Sequence, residues 1–143
     1  MSGFLLDTNC VSEAVRIRPE PRVISWMRAN GSLLHLSVLS LGEIRKGVTL
    51  LPPGEKRLEL EQWLEHVLPA EFYDRLLPIT PEISEIWGAM AGEAQLKGVA
   101  LATVDGSIAA TAEHHDLTLV TRNVKDFRIC GVSLLNSWDL PQP

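Results

Sequence analysis

The chain has 143 residues, the size of one ordinary domain, and its 45% hydrophobic and 22% charged side chains match a water-soluble globular protein. With 13 Lys and Arg against 18 Asp and Glu, the formal net charge is −5; this argues against a general nucleic-acid coat but not against an enzyme with a local basic rim or a metal-neutralised acidic site. Cys10 and Cys130 have neither CxxC nor zinc spacing and read as reduced thiols. No signal-peptide pattern or membrane-length apolar run occurs, so a cytoplasmic protein with no membrane partner is expected.

Phe4-Leu5-Leu6 is the first strand-length apolar run, and Asp7-Thr8-Asn9 follows it directly. Leu33 to Leu36 forms the second. After it, Leu41, Ile44 and Val48 make one helical stripe while Leu39 and Leu50 flank Glu43, which predicts a largely buried helix. Leu51-Pro52-Pro53-Gly54 breaks the chain before another helix, whose Leu60, Trp63, Leu64, Val67 and Leu68 repeat with helical period. Leu76 to Ile79 gives a third strand. Thr80 then caps, and Pro81 opens, a helix carrying Ile83, Ile86, Trp87, Met90 and Ala94. Its Gly88-x-x-x-Gly92 spacing suggests close helix packing, within the chain or at a dimer interface, rather than membrane association. The Ala-rich helix opened by Asp105 places His115 beside Ile108 and Ala112, as a packed histidine. Leu117 to Val120 and Val132 to Leu135 complete the strands, and residues 138–143 read as a loose tail.

Continuous rather than alternating apolarity suits strands covered on both sides. The expected fold is α/β: a single domain over 1–143, with a mostly parallel five-stranded sheet flanked by helices on both faces. Ligands in such sheets bind at the carboxyl ends of the strands. Asp7 falls there, either as a helix cap or as a ligand. Glu43 needs a partner or a cation if its helix is buried, unless Ser40-Leu41-Gly42-Glu43 is a capping box; Ser37 is an equally good cap. Asp105 starts a helix, and Thr121-Arg122-Asn123 follows the fourth strand with Asp126 just beyond. Carboxylates converging at one sheet edge repel unless a cation neutralises them, and oxygen-only donors select hard ions such as Mg²⁺ or Mn²⁺, suited to phosphoester hydrolysis. No HExxH, Gly-x-Ser-x-Gly, P-loop or Gly-x-Gly-x-x-Gly pattern supports a competing chemistry.

Four blocks in order carry a resemblance: Leu5-Leu6-Asp7-Thr8-Asn9, Leu41 to Gly47, Asp105 to Ala112, and Val120 to Phe127. Together they resemble the PIN-domain family, specifically the VapC/FitB-like toxins of toxin–antitoxin pairs. The resemblance implies an endoribonuclease using Mg²⁺ or Mn²⁺ and an activated water, with Asp7, Glu43 and Asp105 as its best-fixed acids. Asp7 and Asp105 would hold the metal, with Glu43 and Asn123 acting through water. Thr8, Asn9 and Thr121 would line the site. The fourth acidic position falls on Asn123, which removes one negative charge, and Asp126 is the weaker substitute. The resemblance also implies a homodimer and a VapB/FitA-like antitoxin, with operator DNA bound only through that antitoxin. RNA would meet basic residues drawn from Arg16, Arg18, Arg45, Lys46, Arg122 and Lys125.

Two rival readings remain at this stage. An aspartyl-phosphate phosphatase would need a second Asp where Asn9 stands, and a catalytically silent binding module is favoured only by the amide at Asn123.

Overall fold

Every predicted apolar run contains a strand in the computed structural model, which describes Gly3–Pro141. The strands are β1 (Phe4–Leu6), β2 (Leu34–Ser37), β3 (Leu76–Leu77), β4 (Thr118–Val120) and β5 (Leu134–Leu135). They form one sheet in the order β3-β2-β1-β4-β5, and every pairing is parallel. In register, Leu6 lies beside Leu36 and Val120, while Leu5 lies beside His35 and Leu119. The pleat sends Leu6, Leu36 and Val120 into one core with Ile44, Val48 and Leu68. Leu5 and Leu119 point the other way, into a core with Ile108, Ala109 and Phe127. Two apolar faces are the physical reason the strands read as continuous runs.

Helices α1 (Thr8–Glu13), α2 (Pro21–Ala29), α3 (Val38–Thr49), α4 (Glu55–Gln62), α5 (Leu68–Glu71), α6 (Pro81–Leu96), α7 (Thr103–His114) and α8 (Val124–Phe127) fill the connections. The start of α6 follows the sequence signals: Pro81 sits in its first turn and the Thr80 hydroxyl accepts from Ile83 N at 3.3 Å. The cysteines are free, Cys10 buried and Cys130 half-buried.

Several expectations are corrected. The Leu60–Leu68 stripe is not one α-helix, because a π turn over Trp63–Val67 separates α4 from α5. Pro69 has no N–H to donate and its ring crowds the carbonyl of Glu65; the wider turn, closed by Leu68 N donating to Trp63 O, accommodates it. Helix α3 is half-exposed rather than largely buried: Ser40, Ile44 and Val48 face inward, while Glu43, Arg45 and Lys46 face out. Among the described residues, no atom outside their own helical backbone lies within 4 Å of a Cβ added at Gly88 or Gly92, so of the two expected roles only an interface between chains remains open to them. The close approach is at Gly106, where a Cβ would lie 2.8 Å from Trp87 Cδ1. His115 is exposed, not packed, because α7 ends at His114 and the next residue turns away. The expected tail is partly anchored: Ser137 is buried and Trp138 packs against the first core, although Gln142 and Pro143 lie outside the described residues.

Candidate active site

The sheet order places β1 between strands whose connections run in opposite directions, and the crevice at the carboxyl ends of β1 and β4 is the topological switch point. Asp7 leaves β1 there with 6% of its surface exposed. One carboxylate oxygen accepts from Thr8 N at 2.8 Å, so Asp7 does cap α1. The other accepts from the Thr121 hydroxyl at 2.7 Å and from Asn9 Nδ2 at 3.3 Å. Thr121, fully buried at the end of β4, in turn accepts from Asn123 N at 3.0 Å. The cap and the site are thus the same carboxylate.

Glu43 comes from α3, one helical turn after the buried Ser40. The true cap of α3 is Ser37, whose hydroxyl accepts from Leu39 N at 3.1 Å, so the Ser40–Glu43 capping box does not form. The Thr8 hydroxyl lies 2.5 Å from Glu43 Oε1 and 2.9 Å from Ser40 Oγ. Its single proton goes to the carboxylate, which leaves the Ser40 hydroxyl to donate to Thr8. Glu43, although exposed, is therefore aimed at α1.

Asp105 lies inside the first turn of α7, and Ala102 occupies the cap position. The ordinary Asp-cap reading is excluded. Among the described residues nothing donates a hydrogen bond to its carboxylate, and none of Asp7, Glu43, Asp105 and Asp126 forms an ion pair. Burial pushes the Asp105 carboxyl up, and the charges of Asp7, Glu43 and Asp126 push it further. Burial raises Asp7 as well; the Thr121 and Thr8 hydrogen bonds oppose that rise, while Glu43 and Asp126 add to it. The acids therefore share one electrostatic neighbourhood, and among the described residues no protein cation is paired with any of them.

Asn123 precedes α8, and its side chain makes no hydrogen bond among the described residues. Asp126, one turn further, is felt at both Asp7 and Asp105. The weaker candidate thus belongs to the same acidic neighbourhood. Of the basic residues named from sequence, Arg45 is paired with Glu65 and Arg16 with Glu13. Arg122 N donates to Asn9 Oδ1 at 3.4 Å, and its guanidinium stacks 5.4 Å from the Trp138 ring centroid. Ser40 and the Arg122–Trp138 stack were not singled out as site features from sequence. Ser40 could have been found from its i,i+3 relation to Glu43; the stack has no local signal.

Among the described residues, no three Asp, Glu, His or Cys side chains are already gathered into a metal cage. Mg²⁺ does not require one, since it is commonly bound by one or two carboxylates and retained waters. An oxygen-only set of mutually repelling carboxylates fits a hydrated hard cation of that kind.

This fold and acidic crevice define a known class: the chain belongs to the PIN domain family, which matches residues 4–130. Within it the relationship is to the VapC/FitB-like proteins. The chain is 37% identical to Toxin FitB of Neisseria gonorrhoeae over 94% of its length and 98% of the relative's. It is 33% identical to VapC ribonuclease Y4jK of Sinorhizobium fredii, covering 95% and 98% of the two chains. The crystal structure of FitAcB from Neisseria gonorrhoeae superposes with a TM-score of 0.89 at 36% identity, over 96% of this chain and 99% of that one.

Proposed function

We propose that this protein is a Mg²⁺- or Mn²⁺-dependent endoribonuclease toxin that hydrolyses RNA phosphodiester bonds and is neutralised by a VapB/FitA-like antitoxin. The observation that carries the reading is that Asp7 and Glu43 are joined through Thr8, which hydrogen-bonds to both carboxylates, while the charges of Asp7, Glu43 and Asp126 all bear on half-buried Asp105 and no cation is paired with any of the four among the described residues. Asp7 and Asp105 would hold the ion; Glu43, Asn123 and Asp126 would act on its waters. Bound there, a divalent ion supplies Lewis acidity and makes a nucleophile available at neutral pH.

The chain's own residues do the positioning. Thr8 N, Thr121 and Asn9 fix both oxygens of Asp7, so it meets a cation without reorganising. Thr8 orients Glu43 towards the same crevice. The relatives include proteins named as a toxin and as a ribonuclease, and FitAcB is a solved relative. For the antitoxin, a groove of about 480 Å³ runs from Thr8 and Glu43 past Val15, Ile44, Leu60 and Trp63. Its apolar walls suit a partner segment that ends over the acids with a basic side chain. Homodimerisation, operator DNA bound only through the antitoxin, and a cytoplasmic location belong to the same proposal. No helix among the described residues is long and apolar enough to cross a membrane.

Cleavage of defined cellular RNA by antitoxin-free protein tests the reading, with Mg²⁺ or Mn²⁺, with chelator, and beside Asp105→Asn. Metal-dependent cuts leaving 5′-phosphate and 3′-hydroxyl ends, absent from the folded variant, are expected. Ends bearing 2′,3′-cyclic phosphate would refute the mechanism, and folded protein without cutting or metal affinity would leave only a silent binding module.

A further inference from the structure

A second hollow, sharing no lining residue with the apolar groove, opens at Asp105 and Asp126. It measures about 620 Å³ and is lined by Asp105, Asp126, Lys125, Arg128, Ile129 and the Val99–Ala102 segment that links α6 to α7. Its volume lies in the range of small-ligand sites, roughly 300–1,000 Å³. One wall is carbon: Val99, Ala100, Leu101 and Ala102 run as an uninterrupted apolar stretch, with Val99 and Ala100 exposed. The same lining carries Lys125 and Arg128. Among the described residues neither side chain forms an ion pair or hydrogen bond, in contrast to Arg16, Arg22, Arg45 and Arg57. Two cations with no ion pair among the described residues therefore line the same hollow as Asp105 and Asp126.

We propose that this hollow receives the nucleotide next to the scissile phosphate of single-stranded RNA. The unstacked base lies against the Val99–Ala102 wall, and its flanking phosphate is held by Lys125 and Arg128. The inference rests on the ribonuclease reading and adds a substrate subsite to it. The lining offers both of the chemistries that a nucleotide needs, apolar carbon for a flat, poorly hydrated base and cations for an anionic phosphate. The location adds the second argument. Asp105 and Asp126 belong to both the acidic crevice and the hollow, so a nucleotide seated here is one phosphate away from the reacting bond. Lys125 and Arg128 also offset the repulsion that those carboxylates exert on an approaching phosphate. Lys125 is within α8 and Arg128 immediately follows it, so both are carried by the element that positions Asp126.

The test is steady-state cleavage of a mixed-sequence single-stranded RNA with Mn²⁺, with the fragment ends sequenced. Wild type, Asp105→Asn, Lys125→Ala, Arg128→Ala and Ala100→Trp are compared after their thermal midpoints show each to be folded. Lys125→Ala and Arg128→Ala are each expected to raise KM about tenfold with kcat kept, the size of one charged hydrogen bond. Ala100→Trp puts an indole into the hollow at an exposed position; it is expected to change which base flanks the cut while Mn²⁺ affinity stays unchanged. If wild type cuts and Asp105→Asn does not, but the other three match wild type in KM and flanking base, the subsite is overturned and the ribonuclease reading stands. If folded wild type does not cut, both fall together.

Discussion

Replacing Gly106 with Ala asks how tightly α7, and with it Asp105, is seated on α6. Two effects of opposite sign compete. Ala is favoured over Gly inside a helix by about 1 kcal/mol. Against this, the new Cβ would lie 2.8 Å from Trp87 Cδ1, 3.0 Å from Trp87 Nε1 and 3.0 Å from Leu101 Cδ2. Carbon atoms prefer a separation of about 3.5–4.0 Å, so the helices must part or the indole must tilt, an overpacking cost of about 1–3 kcal/mol. The balance is a loss of about 1 kcal/mol, read as a lower urea midpoint at unchanged slope by far-ultraviolet circular dichroism. The matched control is Gly92→Ala on α6, where nothing lies within 4 Å; the propensity gain of about 0.5–1 kcal/mol stands unopposed there and the midpoint should rise. Trp87→Leu should remove the larger part of the penalty, leaving only the flexible end of Leu101, so that Gly106→Ala costs less in that background than in wild type. If Gly106→Ala and Gly92→Ala stabilise equally in the wild-type background, the α6–α7 contact has slack and the reasoning fails.

Other outcomes follow from the site. Thr121→Val keeps the side chain's shape but leaves an oxygen of Asp7 and the Asn123 N–H without their buried partner; a loss of about 1–3 kcal/mol in urea unfolding is expected, with weaker Mn²⁺ binding by calorimetry. Chelated protein should lose stability as pH climbs from the ordinary Asp value of 3.8 through the raised range of Asp7 and Asp105, because the native state keeps protons that the unfolded chain has already released. Asp7→Asn should flatten that slope in urea midpoints measured between about pH 4 and 7, and a slope unchanged by the substitution would refute the assignment. Burial pushes the Cys10 thiol far up, with the charge of Asp7 adding to it, so iodoacetamide at alkaline pH should modify half-buried Cys130 first; mass spectrometry of the native protein showing Cys10 modified first would contradict the packing.

The sequence revealed what is local and repeated. All five strands were readable because both sheet faces are apolar, and Thr80-Pro81 marked α6 because capping needs only a hydroxyl and a fixed φ. The placement of Asp7 followed from a single rule about strand ends. What stayed hidden depends on partners distant in the chain. The Leu60–Leu68 spacing is equally satisfied by an α-helix and by a helix widened at Trp63–Val67, and only Pro69 hinted at the difference. Gly88-x-x-x-Gly92 drew notice by its pattern, whereas the tight glycine, Gly106, has no pattern because its neighbour Trp87 lies on another helix. Asp126 looked about one turn away from the acids in sequence, but α8 packs on α7, which carries Asp105, and the Asp126 charge bears on both Asp7 and Asp105.

The hydrogen bond from Thr121 to Asp7 joins residues 114 positions apart. During synthesis the first acid therefore emerges long before the residue that orients it, and β1 must wait for β4 to pair on its second side. Until then Asp7 has no Thr121 hydroxyl and no β4 backbone to receive its N–H bond. A ribosome halted anywhere before Thr121 releases a fragment without the crevice, and a longer chain acquires it only when β1 and β4 meet. For a protein whose proposed substrate is RNA, the newborn chain is thus harmless to the machinery making it until nearly all of the fold is in place.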